Sequence, residues 1–217
     1  MSTSSLLENN EEIRISVLTN LLTMLLNRKW IVKNTFETLL GEFSKDNNDN
    51  NIYKITLDVD LINLDTYLPI RNEEINKLKH RNIIYVKLYF YDITSKVTQI
   101  YDFLNQYEEY HKILIVDSIV PKSKQSIITE YLHTEIFTKN YLKQDLLSID
   151  VSPQYEPLSN QDKDLVMKEY DATKRTMPKI LFNDPASLYF YLQKEQLVRI
   201  IRHSEVSTQA IFYRIVI

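Results

Sequence analysis

The sequence predicts two domains of different class: an α/β domain over residues 1–148, with a mixed sheet and flanking helices, and a small α+β domain over 149–217. Two observations predict this. Through the middle of the chain, strand-like runs alternate with helix-like runs, the pattern of a layered sheet with some parallel strands. Near residue 150 the alternation stops at "VSPQYEPLSNQD", whose two prolines mark a linker, and helix signals followed by two terminal strands take over.

The elements follow in order. Leu18, Leu21, Leu22 and Leu25 recur at helical spacing and predict an amphipathic helix over about residues 10–27. "KWIVKN" reads as a short strand or turn. Asn34 or Thr35 offers an N-cap for a second helix to about Phe43. The polar loop "KDNNDNN" (45–51) precedes a half-buried strand in which Tyr53, Ile55, Leu57, Val59 and Leu61 alternate with polar residues. "IIYVKLYFY" (83–91) is a strand, and Ser95 caps a helix carrying Val97, Ile100, Leu104 and Tyr107. "KILIVD" (112–117) is a strand, "SKQSIITEYL" a short helix, and strand-like pieces follow near 135–138 and 146–151. Past the linker, Ser159 with Asp162 approximates a capping box for a helix to about Tyr170. Asp184 followed by Pro185 is a strong helix start. Strands near 196–202 and 210–217 end the chain.

Composition excludes several kinds of chemistry. The chain carries a net charge of −3 with a pI near 5.9, so it lacks the basic excess of a free-standing DNA binder. It has no cysteine, hence no disulfide and no thiolate metal site. Its one glycine, Gly41, leaves no glycine-rich phosphate loop and no dinucleotide fingerprint. The four histidines (80, 111, 133 and 203) are far apart and show no zinc-binding spacing. Acid pairs such as Asp58/Asp60 and Glu108/Glu109 could serve as catalytic carboxylates, but Asp58 and Asp60 fall on the polar face of a strand, where a solvated edge is the simpler reading. None of the 18 lysines has an acid two residues before it, so the usual acid–x–lysine strand motif of metal-dependent nucleases is missing. No catalytic residue, metal site or cofactor is expected. Apolar runs are too short for a membrane span, and no membrane partner is expected.

The C-terminal block "MPKILFNDPASLYFYLQKEQLVRIIRHSEVSTQAIFYRIVI" resembles the assembly domain of the fifth subunit of cellular RNA polymerases, which is shared by the eukaryotic nuclear enzymes and has an archaeal equivalent without a jaw domain. The matching residues are Pro178, Ile180, Asp184, Pro185, Tyr189, Val198, Ile200, Ile201, Arg202, Ser204, Glu205, Tyr213 and Arg214. "LLTMLLNRKWIVKNT", "IIYVKLYFYD", "KILIVD" and "LLSIDVSP" are similar in order and spacing to the N-terminal jaw domain of the eukaryotic or viral two-domain form. Two departures stand out. Where the family has glycines this chain has Tyr191, Glu195 and Thr208, so these turns must be reshaped or strained. The family's histidines before the linker proline are replaced by Ser148 and Ile149.

Alternation separates the arginines of the terminal strands. Arg199 shares a face with Leu197 and Ile201, and Arg202 shares the other with Val198 and Ile200; in the last strand Arg214 sides with Phe212. Residues 151–217 hold nine Lys or Arg against eight Asp or Glu, weak for tracking phosphates. Pairing with a carboxylate, within the chain or on a partner, suits the guanidinium fork better.

The resemblance implies a non-catalytic subunit of DNA-directed RNA polymerase acting in transcription. It implies docking on the largest subunit, contacts with other polymerase subunits, and a jaw whose contact with downstream DNA is weak or indirect. It implies no homo-oligomer. The location would be the nucleus or, for a viral protein, the virion or a cytoplasmic replication site. The candidate partner interface is Asp184, Pro185, Arg199, Arg202, Ser204, Glu205, Tyr213 and Arg214. The alternative is a stand-alone nucleic-acid-binding or nuclease-like α/β protein.

Overall fold

The computed structural model describes residues 3–45, 51–58, 82–93, 98–143, 153–204 and 208–217. Ser95, Asp60, Ser148, Ile149, Glu205, the 146–151 piece and most of the 45–51 loop lie outside the described residues. The described residues up to Lys143 form one compact unit, and those from Pro153 onward form a second.

The first unit runs α1 (Thr3–Asn27), α2 (Lys33–Lys45), β1 (Ile52–Thr56), β2 (Ile83–Ile93), α3 (Thr98–Gln106), β3 (His111–Ile119), α4 (Pro121–Glu130), β4 (Thr134–Thr138) and α5 (Lys139–Lys143). Its sheet has the order β1-β2-β3-β4. β1 is antiparallel to β2, and the β2–β3 and β3–β4 pairs are parallel with a helix bridging each, so the sheet is mixed. The register places Tyr53, Ile55, Ile84, Val86, Ile113 and Ile115 on one face. Phe43 of α2 meets Tyr53 there at 4.8 Å. The other face sets Leu114, Val116 and Ile136 against Ile100, Phe103 and Leu104 of α3 and Ile127 of α4. Covered on both sides, β3 is buried without a break from His111 to Val116, which is why it reads as a continuous apolar run and not an alternating one.

Two expectations need correction. The α1 periodicity is right, with Leu18, Leu21, Leu22 and Leu25 all buried, but the helix begins at Thr3. Neither Asn34 nor Thr35 is the N-cap of α2. The helix starts at Lys33, and the cap comes from Asp58, just beyond β1: its Oδ2 accepts from the Val32 N–H at 2.7 Å and its Oδ1 from Thr35 Oγ1 at 3.0 Å. A carboxylate at this end also meets the positive pole of the helix dipole. Asp58 is therefore a helix cap and not a bare solvated edge.

The second unit runs β5 (Gln154–Pro157), α6 (Asn160–Glu169), β6 (Lys179–Ile180), α7 (Pro185–Tyr189), β7 (Leu197–Ser204) and β8 (Thr208–Val216). The sheet order is β5-β7-β8-β6. Both expected caps form. Ser159 Oγ accepts from the Asp162 N–H at 3.0 Å and donates to Asp162 Oδ2 at 2.7 Å. Asp184 Oδ1 accepts from the Ala186 N–H at 2.9 Å with Pro185 in the first turn. Leu197 and Ile215 pack with Leu158 and Met177 on one face of the sheet. On the other, Tyr155 meets Phe190 at 5.3 Å.

A chain with a single glycine must close its turns with other residues. Tyr191, Glu195 and Thr208 have φ of 52°, 69° and 63°. The three family glycine positions thus keep the left-handed backbone and carry its strain, about 1–2 kcal/mol each. Hydrogen bonds hold them there. After α7, Tyr191 N–H donates to Leu188 O at 3.2 Å and Leu192 N–H to Ser187 O at 2.8 Å, the paired bonds of a Schellman turn with tyrosine where glycine is usual. Lys29 (φ 61°) closes α1 and Asp171 (φ 46°) closes α6 in the same way. Gly41 itself lies within α2, where a Cβ would meet nothing within 4 Å.

Candidate partner interface

Charged side chains in the two units have different surroundings. In the first, Arg28 at the end of α1 is 1% exposed and grips Glu135 of β4 with two bonds, Nη1 to Oε1 at 2.8 Å and Nη2 to Oε2 at 2.7 Å. His111 Nε2 lies 2.8 Å from Glu135 Oε1, and the Arg28 guanidinium sits 4.7 Å from the Trp30 ring centre. Burial alone would raise the Glu135 carboxyl, but Arg28 and His111 together hold it at about 2. Lys112 is fully buried, and its Nζ donates to the carbonyls of Tyr107, Glu108 and Tyr110, at 3.3, 3.1 and 3.0 Å, just past the C-terminal end of α3. Burial pushes it down to about 8 against the pull of Glu108. These groups are satisfied from within the unit. Among the described residues no cluster of three or more metal-ligating side chains occurs.

In the second unit the β7–β8 register settles which predicted residues come together. Val198 faces Arg214, Ile200 faces Phe212, and Arg202 faces Ala210. Arg202, Phe212 and Arg214 thus share one face, with both arginines exposed. The Arg202 guanidinium lies 5.5 Å from the Phe212 ring centre. Tyr155 of β5, opposite Ile200, stands on the same face. Burial raises its hydroxyl and Asp184 adds to this, while Arg202 and Arg214 pull the other way. Asp184, Arg202 and Arg214 are therefore within electrostatic reach of one tyrosine. Arg199 and Tyr213, opposite each other, occupy the other face. Arg199 Nε is 3.5 Å from Glu156 Oε2 on the neighbouring strand, and Tyr213 lies 5.6 Å from the Tyr170 ring. Pro185 is exposed in the first turn of α7, and Ser204 ends β7 opposite Thr208. Glu205 falls outside the described residues.

Sequence reasoning missed the apolar part of this surface. Ile211 is 52% exposed, Phe212 47% and Tyr170 60%. A groove of about 420 Å³ lies between the Tyr170–Pro178 segment and residues Ile211 to Arg214. The signal was available: "AIFY" puts apolar residues on both faces of a strand, where a strand with one solvated face alternates.

Comparison with known proteins bears on both units. The family profile described as RNA polymerase Rpb5, C-terminal domain, matches residues 144–216. DNA-directed RNA polymerase subunit 5 of Acanthamoeba polyphaga mimivirus is 33% identical over 213 residues, covering 96% of this chain and 94% of that protein. The chain belongs to the RNA polymerase subunit 5 family. Subunit Rpo5 of the archaeon Methanococcoides burtonii is 29% identical over 75 residues, 35% of this chain and 96% of the archaeal one. Subunit RPABC1 of RNA polymerases I, II and III from Caenorhabditis briggsae is 29% identical over 108 residues, 48% of this chain and 51% of its own length. The archaeal match has about the length of a C-terminal unit alone, whereas the viral match spans both units.

Proposed function

We propose that this protein is a non-catalytic subunit of DNA-directed RNA polymerase. Its C-terminal unit docks on the largest subunit, and its N-terminal unit forms part of the jaw beside downstream DNA, with weak or indirect contact to the nucleic acid. The observation that carries this reading is the 33% identity to a viral polymerase subunit over 96% of the chain. The exposed Arg202–Phe212–Arg214 face supports it, since aromatic and arginine side chains are enriched at protein interfaces. Nucleotide and metal chemistry belongs to the large subunits in this reading. The site of action is the nucleus or, given the viral relative, a virion or cytoplasmic replication site. Purifying tagged protein from its native cell tests this. Large polymerase subunits should be recovered in near-stoichiometric amount, and their absence sinks the proposal.

A further inference from the structure

β8 bonds to β7 along its length but to β6 only at Ile215 and Val216. Backbone groups show which way the strand faces. The N–H groups of Ile215 and Ile217 point to the β6 side, donating to Pro178 O at 2.8 Å and Ile180 O at 2.9 Å, while Val216 N–H turns away from it to Gln196 O at 2.9 Å. Successive residues of a strand address opposite edges. The N–H and C=O of Ile211 and Tyr213 therefore project from the β6 side as well, and among the described residues no strand pairs with them. Folded proteins usually blunt such an edge with charge, proline or a cover. Here the edge carries Ile211 and Phe212, each about half exposed.

The two faces beside this edge differ in chemistry. The groove runs along the edge itself, where Tyr170 and Met177 line it together with Ile211 and Tyr213, and Phe212 and Arg214 border it too. On the Phe212 side stand Arg202 and Arg214, and among the described residues neither is in an ion pair. A strand added to the edge would alternate its side chains between these faces.

We propose that the open edge of β8 beside Ile211 and Tyr213 docks an extended segment of another polymerase subunit. Its apolar side chains enter the groove, and its alternate positions carry carboxylates that meet Arg214 and Arg202. The inference rests on the subunit reading above and deepens it by specifying how the partner is bound. Main-chain bonds supply affinity, the groove sets the register, and the arginines select an acidic alternation over a basic one.

The test measures amide exchange of the full chain, free and in the purified polymerase, together with three variants. Ile211→Pro removes an outward N–H without touching the β7–β8 ladder. Ile211→Val keeps that N–H, and Arg214→Glu reverses the charge. The Ile211 and Tyr213 amides should exchange at least tenfold more slowly in the polymerase. Ile211→Pro and Arg214→Glu should lose most of the co-purifying polymerase, and Ile211→Val should keep it. If Ile211→Pro melts early, the exchange data and Arg214→Glu decide. Unchanged exchange at both amides in an assembled polymerase, or slowing that needs added DNA, overturns edge docking and leaves the subunit reading standing. Failure of the wild-type chain to join polymerase overturns both.

Discussion

Arg28 and Arg202 are the same side chain in opposite circumstances. Arg28 is 1% exposed, bound at both Nη atoms by Glu135 and stacked by Trp30. Arg202 is exposed on a strand face, with the Phe212 ring 5.5 Å from its guanidinium and, among the described residues, no ion pair. The difference follows from the sheets that carry them. The first sheet has helices on both faces, so a charge at its end must find its partner inside the unit. In the second, Arg202 and Arg214 are exposed on one face of the β7–β8 pair, so their charges are accessible. Burial, and not residue type alone, decides whether a guanidinium is locked inside the fold or left accessible.

This contrast can be broken at several points, from strongest to weakest. Glu135→Ala leaves Arg28 buried without its carboxylate and should cost about 3–5 kcal/mol, read by denaturant unfolding of the first unit. In the wild type the same pair sets an acid limb. The folded value of about 2 lies below the ordinary 4.5, so the stability it contributes is fully present above pH 4.5 and is lost as pH falls toward 2. A melting profile over that range should show the loss, and Glu135→Ala should flatten it.

Asp58→Ala removes the cap of α2 and should cost about 1 kcal/mol, with faster amide exchange in the first turn of that helix. If stability does not change, Asp58 is only a surface acid after all. Gly41→Ala should stabilise by about 0.5–1 kcal/mol, because the site is helical and open. A rise of a few degrees in melting temperature checks it. All three changes lie in the first unit, so none should alter polymerase recovery under conditions where the variant remains folded.

Much of the fold was legible because its signals are local. The leucine spacing of α1, the alternation of β1 and the caps at Ser159 and Asp184 each lie within a few residues of the structure they specify. What was not legible depends on chain closure. Asp58 lies 26 residues from Val32, and Arg28 lies 107 residues from Glu135. No periodicity links such pairs. The candidate interface was half legible. Alternation correctly split Arg199 from Arg202, but only the register showed that Arg214 joins Arg202 around Phe212. The left-handed turns were found through the resemblance, since the sequence marks them with tyrosine, glutamate and threonine instead of glycine.

The claim that the second unit is the recognition surface is tested most directly by one measurement: polymerase recovered per molecule of tagged protein, for wild type, for Arg202→Glu with Arg214→Glu, and for Asp58→Ala. The double charge reversal should keep its melting temperature and lose polymerase, while Asp58→Ala should melt earlier and retain it. Full recovery by a folded double variant would contradict the account.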